Sequence, residues 1–159
     1  MEKKSNFFVS LIALLLPLGV GYLSSVVTRG GGGSFIPYPI KPPLVPPASV
    51  FPIVWAILFS LMGIAFCMVI NTDTDKETKR IAIFVFLLQL ALNFLWSILF
   101  FKYRLCGLAF IDVALLWFMI FVNFIVFYRI RKTAGYLFIP YLLWVGFALY
   151  LNAGYCILN

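Results

Sequence analysis

Five long apolar stretches divide this chain, at 7–27, 50–70, 81–101, 105–128 and 135–158. Each approaches or exceeds the roughly 20 residues that a helix needs to cross a bilayer. Four of the five carry no charge, and the fourth holds one, Asp112. Polar positions gather between the stretches rather than alternating within them. A membrane barrel would instead show weak alternation in segments of about ten residues. The pattern predicts an all-α membrane protein, a single domain over 1–159 built as a bundle of five transmembrane helices. The first stretch follows a basic start at Lys3 and Lys4. Its apolar core is too long for a signal peptide and no small-x-small cleavage site follows, so it is expected to be a mature helix. Within it, Pro17, Gly19 and Gly21 should bend the helix or admit a close neighbour, and Gly21 with Ser25 makes a small-xxx-small pair.

The connections differ in kind. Loops at 102–104 and 129–134 are short, so the helices they join should run antiparallel. The loop at 71–80 is polar, with Asp73, Asp75, Lys76, Glu77, Lys79 and Arg80. The long loop at 28–49 opens on a glycine tract, Gly30 to Ser34, and continues through Pro37, Pro39, Pro42, Pro43, Pro46 and Pro47. A flexible hinge followed by stiffened chain suits a lid, although a plain linker has the same composition. The basic residues predict orientation. Lys3, Lys4, Lys76, Lys79, Arg80, Arg129, Arg131 and Lys132 fall on one side, and Arg29, Lys41, Lys102 and Arg104 on the other. The N terminus is therefore expected inside, with the long loop and the C terminus outside.

Composition narrows the classes. Of 159 residues, 64% are hydrophobic and 11% charged. A soluble chain has about 25% charged residues, so this one could not cover a water-facing surface. The formal net charge of +7 would raise nucleic acid as a partner in a soluble domain. Here the charges flank apolar runs, so topology explains them and no nucleic acid is expected. With no histidine and three scattered cysteines, Cys67, Cys106 and Cys156, no metal site or cofactor is expected. All three cysteines read as small apolar filler.

Polar groups in hydrocarbon are costly and usually face the bundle interior. Gln89, Asn93, Trp96 and Phe100 share one face of the third helix by their spacing, and Tyr141, Trp144, Ala148, Asn152 and Tyr155 one face of the fifth. Asp112, Leu116, Met119 and Asn123 line up on the fourth, and Trp55, Phe59, Met62 and Phe66 on the second. Such stripes serve either as interhelical glue or as the wall of a cavity for a flat, mostly apolar ligand. Asp112 is expected to pair with Arg104, Lys102 or an indole N–H. The alternative is a protonatable relay, but a single acid without an intramembrane base is thin support for coupled transport.

Three blocks of residues resemble the translocator protein family, also called peripheral benzodiazepine receptors or tryptophan-rich sensory proteins. The first runs from Lys41-Pro42 through Pro46-Pro47 to Val50-Phe51-Pro52-Ile53-Val54-Trp55 and Leu61-Met62-Gly63. The second is Gln89-Leu90-Ala91-Leu92-Asn93 with Trp96 and Phe100-Phe101, followed by Asp112. The third is Pro140-Tyr141-Leu142-Leu143-Trp144 with Phe147-Ala148 and Leu151-Asn152. The resemblance covers nearly the whole chain. It implies a five-helix bundle, often a homodimer in membrane lipid, that binds protoporphyrin or related tetrapyrroles, sterol-like compounds and isoquinoline-type ligands in a pocket lidded by the first loop. Carried over by position, the ligand-contacting residues are Ser25, Phe51, Trp55, Asn93, Trp96, Leu108, Leu115, Trp144, Ala148 and Leu151. The pocket is accordingly expected among helices two to five. The chain departs from the family at Leu44 and Ser49, where many members carry tryptophan, and at Phe35-Ile36-Pro37-Tyr38, where most have a Trp-Tyr pair. The lid should therefore offer a ligand fewer rings. Tyr155 also lacks the following basic residue of the animal sterol pattern, itself a weak motif.

Three functions stay open at this level. One is a binding or sensing protein for porphyrin-like ligands. A second is a light- and oxygen-dependent protoporphyrin-degrading enzyme, with Trp55 and Trp144 as redox-active neighbours of the ring. The third is a transporter of tetrapyrroles or lipids. The chain shows no nucleophile–base pair and no phosphate loop, so no other catalytic residue is named. The basic inside loops suit a bacterial cell membrane.

Overall fold

A computed structural model describes residues 6–29 and 38–159 of the chain. Among them it contains helices and no strand. Five spans are long and apolar enough to cross a membrane, so the fold class read from the hydrophobic pattern stands. They comprise α1 (Phe7–Thr28), α2 (Val50–Asn71), α3 (Lys76–Ser97) continued by a π-helical turn (Ile98–Lys102), α4 (Cys106–Ile130), and a short α5 (Lys132–Tyr136) followed by α6 (Ile139–Leu158).

Local chemistry sets the ends. Asn6 caps α1, its side chain accepting from the Phe8 N–H at 3.2 Å. Asp75 caps α3: Oδ2 accepts the Thr78 N–H at 2.8 Å and Oδ1 the Thr78 hydroxyl at 2.7 Å. That cap starts the helix at Lys76, ahead of the predicted 81, because the polar first turn is helical outside the apolar stretch. Lys79 reaches back to donate to the Ile70 carbonyl at 3.0 Å, satisfying an otherwise unpaired end of α2. The predicted fifth helix at 135–158 is split. Pro140 has no N–H to offer the Tyr136 carbonyl four residues earlier, so the chain makes α5, turns at Leu137 and Phe138, and restarts with Pro140 in the first turn of α6. α1, by contrast, is helical on both sides of Pro17.

Packing closes the spans into a bundle in which α1 pairs with α2, α3 with α4, and α4 with α6. A Cβ on Gly63 would lie 2.5 Å from the Leu14 carbonyl oxygen. Only glycine allows α1 and α2 to approach that closely. The half of the bundle that holds the 71–80 loop is filled by phenylalanines. Phe66 stacks on Phe86 at 4.0 Å, Phe86 lies 5.9 Å from Phe127, and Phe127 meets Phe138 edge-on at 5.1 Å. All four are buried.

Two expectations about side-chain pairing are corrected. Cys106 and Cys156 are not filler. They form a disulfide between the start of α4 and the last turn of α6, with their Cα atoms 5.6 Å apart. Antiparallel packing brings these ends together, although they are far apart in sequence. Cys67 is free. Asp112 does not pair with Lys102, Arg104 or an indole. It is buried, and its Oδ2 has no hydrogen-bond partner among the described residues. The two cations are exposed where α3 ends, whereas Asp112 lies nearly two turns inside α4.

Candidate functional site

The half of the bundle opposite the phenylalanine stack contains a cavity of about 270 Å³. α1 contributes Leu18, Gly21, Tyr22, Ser24, Ser25 and Thr28, and α2 contributes Pro52, Trp55, Ala56 and Phe59. α3 and its π-helical turn add Asn93, Trp96, Ser97 and Phe101. All come from the C-terminal halves of α1 and α3 and the N-terminal half of α2, so the cavity lies at the end where the first loop leaves and returns. Tyr22 is 71% exposed while lining it, which leaves the cavity open sideways beside α1.

Its walls are aromatic and anchored. The Trp55 and Trp96 rings are 6.2 Å apart, and Trp55 lies 5.5 Å from Phe59. Trp96 donates its indole N–H to Asn152 Oδ1 at 3.0 Å, and Asn152 Nδ2 donates to the Cys106 carbonyl at 3.1 Å. One asparagine thereby ties the cavity wall to both α6 and α4. Asn93 donates to the Tyr141 hydroxyl at 2.8 Å, which donates to Gln89 Oε1 at 2.8 Å. The polar stripes of the third and fifth helices therefore meet each other, and the glue reading holds for most of their members. The π-helical turn widens the register at the end of α3, so the consecutive Phe100 and Phe101 both find inward partners. Phe100 stacks on Trp96 at 5.4 Å, and Phe101 lines the cavity.

The described part of the first loop is seated beside this site. Tyr38 packs between Tyr155 at 5.3 Å and Phe100 at 5.1 Å. The Ile40 N–H donates to Asn159 Oδ1 at 3.1 Å, and Asn159 Nδ2 donates back to the Ile40 carbonyl at 2.9 Å. Tyr150 donates to the Pro43 carbonyl at 2.9 Å. A Cβ on Gly154 would meet Pro42 at 2.5 Å, so the loop lies directly on the helix there. Burial raises the Tyr38 hydroxyl above the ordinary tyrosine pKa, against the pull of the Arg104 charge. The glycine tract and Phe35 to Pro37, which carry much of the expected lid, lie outside the described residues.

The sequence-predicted positions are distributed unevenly. Ser25, Trp55, Asn93 and Trp96 line the cavity together. Ala148 and Leu151 are buried in the core and do not line it. Phe51 meets Trp144 edge-on at 5.8 Å. Trp144 lines a separate apolar groove between α2 and α6, with Ile57, Leu143 and Phe147. Leu108 and Leu115 are 55% and 53% exposed, on an outward stripe of α4 that also carries Ile111 and Phe118. The cavity thus lies among α1, α2 and α3 rather than among helices two to five. The carry-over captured only Ser25 from α1. A stripe at 18, 21, 22, 25 and 28 has helical spacing, and all but Leu18 are small or hydroxyl-bearing. That pattern was the available signal for the α1 wall.

A membrane-embedded helical bundle with an aromatic cavity at one end, beside which the described part of the first loop is seated, defines the class of this molecule. The chain belongs to the TspO/MBR family, which it matches over residues 13–158. It is 40% identical over 139 residues to the tryptophan-rich protein TspO of Chlorobaculum tepidum, covering 86% of this chain and 87% of that one. It is 34% identical over 140 residues to the translocator protein of Bos taurus, covering 87% and 82%. A tryptophan-rich protein TspO of Archaeoglobus fulgidus is 31% identical over 156 residues, covering 97% and 99%.

Proposed function

We propose that this protein binds a flat, largely apolar, porphyrin-like ligand in the cavity among α1, α2 and α3, as a membrane receptor or sensor. The observation that carries this reading is the pairing of Trp55 and Trp96 across one aromatic wall in a cavity backed by packed phenylalanines. Ligand pockets are mostly apolar with a few placed polar groups. Here Asn93, Ser25 and Ser97 are those groups. The volume of about 270 Å³ falls just below the usual range of about 300–1,000 Å³, and the sideways opening at Tyr22 gives a ring system room to project toward lipid. The packed half favours containment over passage through one bundle. The test is quenching of tryptophan fluorescence on titration with protoporphyrin. Saturable quenching that weakens more in Trp55→Ala than in Trp144→Ala is expected. Unsaturable quenching, or equal loss in both variants, sinks the cavity assignment.

A second reading is light- and oxygen-dependent degradation of the bound porphyrin. Trp55 favours it, as an oxidisable indole on the cavity wall. Trp144 has its own groove, so Trp55→Phe should slow product formation more than Trp144→Phe does. Undiminished product formation in both variants removes tryptophan from the chemistry.

The face carrying the first loop and the C terminus is inferred to lie outside. The basic-residue asymmetry supports this, as does the disulfide at that face, since disulfides persist in oxidising compartments. A bacterial cell membrane and a homodimer packed through the Leu108 and Leu115 stripe complete the proposal. Disulfide crosslinking of a Leu115→Cys variant in membranes tests the dimer, and monomer alone counts against it.

A further inference from the structure

We propose that the Cys106–Cys156 disulfide is a redox latch: intact, it holds both the seat of the first loop and the Trp96 wall of the cavity, and its reduction loosens both. Cys156 lies one helical turn beyond Asn152 on the same face of α6. Successive rungs of that face therefore grip the start of α4, one through the disulfide and one through the Asn152 bond to the Cys106 carbonyl at 3.1 Å. The other atom of the same amide, Oδ1, holds the Trp96 indole at 3.0 Å. The contacts that seat the first loop are carried by the same stretch of α6, at Tyr150, Gly154, Tyr155 and Asn159.

The other side of the latch is irregular in backbone, although the Leu105 N–H donates to the Leu99 carbonyl at 2.9 Å. Leu105 offers α4 no side-chain cap, and Arg104 before it is in the left-handed region at φ 56°. The residues preceding these form the π-helical turn. The disulfide is the covalent restraint on this irregular end. Both cysteines are half-buried rather than sealed. Cys67 is in the C-terminal half of α2, toward the opposite face, and is not placed to exchange with them.

The reductant is a dithiol. Its thiolate attacks one sulfur, the Cys106–Cys156 bond breaks and a mixed disulfide forms. The second thiol of the reductant resolves it. Two electrons and two protons pass to the protein, leaving two cysteine thiols, and the reductant leaves as a disulfide. A dithiol oxidoreductase acting at the loop face is the class of partner that fits. After reduction the last turns of α6 are held to α4 by the Asn152 bond and packing alone.

The consequence for ligand retention rests on the binding function proposed above, whereas the seat of the loop does not depend on it. The experiment uses full-length protein purified in detergent without reductant, with dithiothreitol as the probe. Hydrogen exchange is followed in a peptide containing Ile40, and protoporphyrin release is followed by fluorescence. Reduction is expected to speed exchange at Ile40 by about tenfold, as a local opening does, and to hasten release by a few-fold. A Cys106→Ser/Cys156→Ser double variant should exchange fast under both conditions and ignore dithiothreitol. Unchanged exchange in wild-type protein whose two thiols titrate as reduced overturns the latch. So does finding both thiols free before reduction. If oxidised protein takes up no protoporphyrin, the binding function fails, and the exchange comparison still decides the latch.

Discussion

The hydroxyl of Tyr141 on α6 bridges Asn93 and Gln89 on α3, accepting from Asn93 Nδ2 and donating to Gln89 Oε1, each at 2.8 Å. All three side chains are buried. A Tyr141→Phe change keeps the ring and its packing but leaves an amide donor and an amide acceptor unpaired. A single interhelical hydrogen bond in a bilayer averages about 0.6 kcal/mol. Two orphaned buried partners should cost more, about 1–3 kcal/mol. The expected outcome is a lower thermal midpoint in detergent, with ligand affinity also reduced because Asn93 faces the cavity. An unchanged midpoint would show that the bridge adds no stability.

The contact of Gly63 with the Leu14 carbonyl sets the spacing of α1 and α2. Both helices wall the cavity. Gly63→Val should force them apart and destabilise the bundle by about 1–3 kcal/mol, the usual cost of overpacking. Thermal unfolding measures the first effect, and protoporphyrin titration measures the second. A variant with wild-type values in both would contradict the close approach.

Ser25 faces the cavity from α1. Ser25→Phe should fill part of its volume and compete with ligand while leaving the distant phenylalanine stack intact. Affinity should fall at least tenfold, equivalent to about 1.4 kcal/mol, with the thermal midpoint nearly unchanged. Undiminished affinity would place the ligand elsewhere.

Asp75 supplies a pH dependence whose sign follows from its cap. Accepting the Thr78 N–H and hydroxyl holds its carboxylate below the usual pKa. A depressed folded-state pKa means that the contribution is full above the unfolded value and is lost as pH falls through the folded one. The first turn of α3 should therefore fray in acid, below about pH 4. Hydrogen exchange at Thr78 and Lys79 should quicken there. In Asp75→Asn, which keeps a capping oxygen without the charge, that acid-dependent step should disappear. An identical acid response in both proteins would assign it to another group.

Trp96 and Trp144 show how far a stripe can be read. Both sit on faces identifiable from spacing, and both were carried over as ligand contacts. Trp96 is buried and anchored to Asn152, whereas Trp144 borders a groove on another side of α6. Spacing says which residues share a face of one helix. It does not say which helix that face meets, because lipid and protein interiors are similarly apolar. The same ambiguity explains Leu108 and Leu115, whose composition suits a pocket wall and a lipid-facing surface equally well. Asp112 was readable as buried from its position, but not as unpartnered.

The hydrophobic pattern by itself determined five spans. The bilayer demands about 20 apolar residues per crossing, and the short links at 102–104 and 129–134 make the helices they join antiparallel. It also marked the long loop as the unusual connection. The tertiary structure decided the rest. It brought Cys106 within bonding distance of Cys156, laid the loop on α6 from Tyr38 to Pro43, and opened the cavity among α1, α2 and α3. Each depends on the rotation and approach of one helix against another, which is set by glycine contacts, capping and a π-helical turn rather than by hydropathy.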